Sequence, residues 1–203
     1  MGDNVQFVEK FSVEGNNPST LGLQNENFKH LDLRGNHEEL NYIPYNLLVE
    51  VRDTLEVLIL SNNHFAKIGN KSEDIQPNQN IFPTMENLLF LELDYCNIKW
   101  IRDGAFDNLP LLKNLSLKHN FLDSIPPAIY LHSLEHLQIS GTIQSGQSSK
   151  QDFKLPSNFS QGKLSQLKSL SFGHFLFPFP IEPKAFVGLP NLTKIVYDRQ
   201  LKL

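Results

Sequence analysis

Residues 112–125 read LKNLSLKHNFLDSI. Leucine or isoleucine falls at relative positions 1, 4, 6, 11 and 14, and Asn120 stands at position 9. Side chains alternate along a strand, so residues 4 and 6 of this unit share one face while 3, 5 and 7 point the other way. Positions 3 to 7 therefore predict a short strand with its apolar pair turned inward, and residue 1 turns into the same core.

The spacing recurs along the whole chain. Units start at Val8, Phe28, Leu55, Leu88, Leu112, Leu134, Leu167 and Leu192, separated by 20, 27, 33, 24, 22, 33 and 25 residues. They read VEKFSVEGN, FKHLDLRGN, LEVLILSNN, LLFLELDYC, LKNLSLKHN, LEHLQISGT, LKSLSFGHF and LTKIVYDRQ. Matching at positions 1, 4 and 6 is close to complete, and the pattern is identified as the leucine-rich repeat. Each unit leaves an apolar ridge uncovered until a neighbour stacks on it, so stability comes from the array. The expected fold class is α/β, a right-handed solenoid forming one domain over residues 1–203. Its parallel sheet lines the concave side, and irregular or 3₁₀ turns form the convex side.

Position 9 holds Asn16, Asn36, Asn63, Cys96, Asn120, Thr142, Phe175 and Gln200. Where the chain leaves the strand its backbone groups are buried and need partners. An asparagine amide both donates and accepts, so a column of them satisfies the turns on either side. Cys96 is either a buried member of that column or a reactive thiol. Phe175 interrupts the column and predicts a reshaped turn near FLFPFP.

A second signature precedes the strands. Phe106, Leu109 and Leu112 step by three, as do Phe186, Leu189 and Leu192, and Phe82, Met85 and Leu88. Steps of three suit 3₁₀ turns, with the phenylalanines stacked as a spine. This x-x-A-F-x-x-L-x-x-L arm, joined to the strand unit, resembles the typical extracellular class of leucine-rich repeat found in Toll-like receptor ectodomains and chaoptin-like adhesion proteins. The resemblance implies a binding module of a cell-surface or secreted receptor that recognises a protein or glycan ligand.

Composition narrows the alternatives. Of the 203 residues 40% are hydrophobic and 20% charged, with mixed signs and a net charge of −4. A nucleic-acid binder should show a basic stripe, and nucleic acid is not the expected partner. No apolar run reaches the ~18 residues of a membrane span; the greasiest, residues 175–181, is broken by Pro178 and Pro180. The first ten residues lack the pattern of a signal peptide. They begin Met-Gly, but Gln6 stands where an N-myristoylation signal needs Ser or Thr. Membrane attachment would therefore need a segment this sequence does not contain. One cysteine makes neither an internal disulfide nor a metal site, and no cofactor is expected.

Polar stretches at 69–81 and 141–166 read as insertions, and Leu40 and Ile43 slip off template. Neither terminal repeat carries a complete cap, which predicts a segment of a longer solenoid. Sequons occur at Asn70, Asn114, Asn158 and Asn191, whereas Asn17 is disqualified by Pro18. Asn70 and Asn158, in the insertions, are the first expected glycan sites; a sugar on Asn114 would cover part of the concave face.

Four of seven histidines, His30, His119, His136 and His174, occupy outward positions, and His119 and His136 are expected to be neighbours. Zinc would want three or four ligands with a second shell, and no such pattern accompanies them. Motifs of hydrolases, phosphate-binding loops and zinc proteases are absent, so the chain does not read as an enzyme.

What remains is the outward row. It presents His30, Asp32 and Arg34, then Val57, Ile59, Ser61 and Asn62, then Phe90, Glu92, Asp94 and Tyr95. Asn114, Ser116, Lys118 and His119 follow, then His136 and Gln138. Phe90 and Tyr95 beside Val57 and Ile59 predict an exposed apolar island ringed by charge, the composition of an interface hot spot. The second reading is an intracellular scaffold binding a protein partner in the cytoplasm, favoured by the lone cysteine. Glycan occupancy separates the two.

Overall fold

The computed structural model describes residues 28–36, 40–65, 67–68, 81–122, 125–141, 155, 157, 159–173 and 181–198. The unit at Val8 lies outside them, as do Thr142, Phe175 and the residues 69–80 and 142–154. Seven strands, each beginning two residues after its unit start, form one parallel sheet: β1 (His30–Asp32), β2 (Val57–Ile59), β4 (Phe90–Glu92), β6 (Asn114–Asn120), β7 (His136–Gly141), β8 (Ser169–Gly173) and β9 (Lys194–Asp198). They lie side by side in chain order, broken only by β3 (Lys67–Ile68) and β5 (Trp100–Ile101), which pair with each other elsewhere.

Register follows from the leucines. Leu31 pairs with Leu58, Leu58 with Leu91, Leu91 with Leu115, Leu115 with Leu137, Leu137 with Leu170 and Leu170 with Ile195. A one-residue slip would turn each of these to solvent. All six leucines are essentially inaccessible, and so are the position-6 side chains Leu33, Leu60, Leu93 and Leu117. Each contributes roughly 1.5–3 kcal/mol by leaving water.

The convex arms owe their step of three to backbone hydrogen bonds. The Leu109 N–H donates to the Phe106 carbonyl at 3.0 Å and the Leu112 N–H to the Leu109 carbonyl at 3.2 Å, and Leu192 repeats the bond to Leu189 at 3.2 Å. Bonds to the third residue back turn the chain once per three residues, so Phe, Leu and Leu point the same way. Phe82 and Phe106 meet with ring centroids 5.9 Å apart. Tyr130 and Phe159 continue the spine edge to face, also at 5.9 Å, although neither lies on the template. One arm is instead a true helix, α1 (Tyr45–Val51), which buries Leu47, Leu48 and Val51. Off-template Leu40 is buried as well, and Ile43 packs against the core.

The expected insertions are shorter than their sequence suggests. Ile81 is buried, and Leu155, Phe159 and Leu164 are core residues within the stretch read as an excursion. Leu155 bridges to Ile181 of the next coil, and the Phe159 N–H donates to the Ala185 carbonyl. Polar composition hid an arm whose described apolar residues Leu155, Phe159 and Leu164 point inward.

Gly104 and Lys184 occupy the same place in two arms, ahead of Ala-Phe, with φ of +72° and +65°. That left-handed backbone costs an L side chain roughly 1–2 kcal/mol. Lys184→Gly should therefore raise stability, by about 0.5–1 kcal/mol after the extra chain entropy of glycine is counted. Gly104→Ala should lower it, since the new Cβ would stand 2.8 Å from Asp107 Oδ2. Thermal midpoints moving in the same direction for both variants would sink this account.

Between strand and arm, the position-9 column works as a ladder. Asn63 Oδ1 accepts the Asn36 N–H at 2.8 Å, while its Nδ2 donates to the carbonyls of Leu33 and Leu60 at 3.0 and 2.9 Å. Asn120 repeats this two coils further on, accepting from Cys96 and Ile98 and donating to Leu93 and Lys118. Cys96 keeps the donor half alone, its Sγ lying 3.2 Å from the Leu60 carbonyl. Burial pushes its thiol up to about 12. Thiol chemistry needs the thiolate, so the native chain should leave a disulfide reagent unreacted at about pH 8 while urea-unfolded chain reacts fully. Rapid native labelling would contradict the ladder role.

Candidate binding face

Because the strands are parallel and in register, like positions of successive coils stand in rows across the sheet, ~4.8 Å apart. The position-3 row runs His30, Val57, Phe90, Asn114, His136, Ser169 and Lys194. The position-5 row runs Asp32, Ile59, Glu92, Ser116, Gln138, Ser171 and Val196. Both belong to the concave surface.

Polar side chains at the ends of the strands bind one coil to the next. Ser61 Oγ donates to Glu92 Oε1 at 2.7 Å and accepts the Asp94 N–H at 3.0 Å. Asp94 Oδ1 accepts from Ser116 Oγ at 2.6 Å and from the Lys118 N–H at 2.8 Å, while Oδ2 pairs with Lys118 Nζ at 3.3 Å. The next link runs from the His119 N–H to Ser140 Oγ. At the first described coil Arg34 Nε donates to both oxygens of Asp32, at 2.9 and 2.8 Å. That hydrogen bond holds the Arg34 guanidinium above its ordinary pKa, against the opposing effect of burial. On the other flank Glu135 joins Lys168 at 2.6 Å and Lys113 at 3.3 Å, which keeps its carboxyl below the usual range.

Several expected members of the face prove to be engaged in this framework. Asp94 is only 5% exposed, since its carboxylate is covered by Ser116 and Lys118. Ile59 is 7% exposed, closed in between Asp32 and Glu92 of the adjacent strands. The apolar island is consequently split. Val57 and Phe90 are laterally paired and half-buried at the start of the strands. Tyr95 lies five residues further on, in the turn beyond the end of β4. His119 and His136 are likewise separated: His136 is level with Asn114, and His119 is at the far end of β6.

His119 stacks instead on Tyr95, with centroids 4.0 Å apart and rings 11° from parallel. Both residues have φ near +55°. The sequence reading missed this pair, although a signal was present. Gly35 and Asn62, the residue types that favour left-handed backbone, hold the same position in earlier coils, with φ of +74° and +58°.

Of the sequons, Asn114 is half-buried on the concave face between Phe90 and His136. Asn191 is exposed, its Nδ2 donating to the Ser165 carbonyl at 2.8 Å. Asn70, Asn158 and His174 lie outside the described residues. Among the described residues no cluster of three or more His, Cys, Asp or Glu is placed to hold a metal ion. No described helix is long and apolar enough to cross a membrane.

Comparison with known proteins agrees with this geometry. The leucine-rich-repeat family model matches residues 86–142, the stretch that carries β4, β6 and β7. The chain is a leucine-rich-repeat solenoid. Human Toll-like receptor 5 is 32% identical over 131 residues, which are 63% of this solenoid and 14% of that receptor. The solenoid thus spans about a seventh of the length of the curated relative it matches. Human 5T4 (Wnt-activated inhibitory factor 1, trophoblast glycoprotein) has the same fold, with TM-score 0.56 and 21% identity over 80% of this chain and 56% of that one. TLR13, solved in complex with ssRNA13, superposes with TM-score 0.58 and 20% identity over 90% of this chain and 27% of its own. Leucine-rich-repeat families are typically binding modules without enzymatic activity.

Proposed function

We propose that this solenoid is the recognition module of a cell-surface or secreted receptor of the Toll-like type, holding a protein or glycan ligand on its concave face. The observation that carries the reading is the 32% identity to Toll-like receptor 5 over 131 residues. The in-register concave rows support it, because they offer side chains from many coils to one partner. Recognition on such a surface is complementarity of shape and charge and involves no bond chemistry.

The full-length protein expressed in animal cells tests the compartment. Surface biotinylation and a mobility shift with peptide-N-glycosidase are expected. An unglycosylated protein confined to the cytoplasm would replace this reading with the intracellular scaffold. The face is tested by Phe90→Ala combined with Tyr95→Ala, which strips an aromatic from each end. Capture of cross-linked surface partners should fall about tenfold or more while circular dichroism is preserved.

A further inference from the structure

Position 2 of each unit stands just ahead of its strand, and successive coils line these residues up along one flank of the sheet. Lys29, Glu56, Leu89, Lys113, Glu135 and Lys168 follow one another, each carbonyl accepting the backbone N–H of the next member. Ion pairs run along the row, from Lys29 to Glu56 at 3.0 Å, from Lys113 to Glu135 at 3.3 Å and from Glu135 to Lys168 at 2.6 Å. These side chains keep between 22% and 65% of their surface exposed. Attraction between neighbours accounts for the alternation of charge, but not for its break. At Leu89 the alternation stops, and it restarts at Lys113 in the opposite phase. Leu89, Val57 and Phe90 are half-buried there, and Leu111, two residues before Lys113, is 49% exposed.

We propose that this flank pairs with the same flank of a second copy of the chain, about a two-fold axis parallel to the strands and passing Leu89. Rotation about that axis keeps position 2 against position 2 and reverses the order of the coils, an isologous contact of the kind most homodimers use. Glu56 then faces Lys113 of the second copy, Lys29 faces its Glu135, and Leu89 meets Leu89. An unbroken alternation would have set like charge against like under the same rotation, so the phase change at Leu89 is what makes the row complementary to itself. In the sequence the reversal continues one place further, since Glu9 at position 2 of the unit at Val8 is the counterpart of Lys168. Each charge keeps its lateral partner, which leaves the flank nearly neutral and gives a strongly charged partner no excess to neutralise. A reversed copy instead brings an opposite charge to every member without displacing the one beside it. An apolar centre inside a charged rim is also the usual build of an interface. The inference goes beyond the receptor reading and does not depend on it.

The test is light scattering of the full-length protein over a concentration series, with circular dichroism as the check on folding. The wild-type protein should dimerise. Glu56→Lys should weaken the dimer about tenfold or more, because it sets lysine against Lys113 at two symmetry-related places. Adding Lys113→Glu should restore the dimer to within about threefold of wild type, since the row again reverses its charge across Leu89. A structural effect could not give that rescue, for the double variant breaks more lateral pairs than the single one. Leu89→Asp, which brings two like charges together on the axis, should leave only monomer. A wild-type protein that stays monomeric, a dimer indifferent to Glu56→Lys and Leu89→Asp, or a double variant no tighter than the single would overturn the inference. A glycan found on Asn114 would do so too, since it would stand next to Lys113 and bar the approach. The receptor reading is decided separately, by the biotinylation experiment, whichever oligomer is seen.

Discussion

Replacing Asn120 with Ala is expected to lower the unfolding free energy by about 3–5 kcal/mol, because each buried polar group left without a partner costs roughly 1–3 kcal/mol. Asn120 is fully buried and serves the N–H groups of Cys96 and Ile98 and the carbonyls of Leu93 and Lys118. Water entering the vacated space would restore some of these bonds, which keeps the loss below the simple sum. Asn120→Cys should cost less, as a thiol retains the donor half of the role that Cys96 fills one coil earlier. Urea midpoints measured by circular dichroism decide the matter. A loss under about 1 kcal/mol for Asn120→Ala, below what one orphaned group should cost, would show that the column does not satisfy the turns.

Phe106→Ala should be comparably severe, about 3–5 kcal/mol, the range for removing a buried aromatic side chain. Phe106 is inaccessible to solvent and packs, tilted by 37°, against Phe82 in the preceding arm. Loss of the ring opens a cavity between two coils, and a solenoid holds together only through contacts between neighbours. The damage should therefore centre on the coils around Phe82 and Phe106, which hydrogen exchange would register as faster exchange of amides in β4 and β6. Uniform acceleration across all strands would instead mean that the array unfolds as one cooperative unit. Val187→Ala, at an exposed position of a later arm, supplies the control and should stay within about 0.5 kcal/mol of wild type.

The residues that made the fold legible are those whose environment repeats. Leu58, Leu91, Leu115 and Leu137 meet the same neighbours above and below, so spacing alone located them. The asparagine column was legible for the same reason. Reading failed where composition masked burial, as at Leu155 and Phe159, and where a helix replaced a three-residue turn at Tyr45–Val51. On the concave face, sequence reading identified the outward rows but could not tell which of their members were already engaged.

The sequence by itself determined the coil and its direction of burial, because apolar spacing within one unit dictates which side chains leave water. Only the tertiary structure decided what the inner face offers a partner. It covered Asp94 with Ser116 and Lys118, closed Ile59 between Asp32 and Glu92, and set Tyr95 against His119. Those contacts join residues more than twenty positions apart across coils of unequal length, so their register exists only once neighbouring coils have stacked.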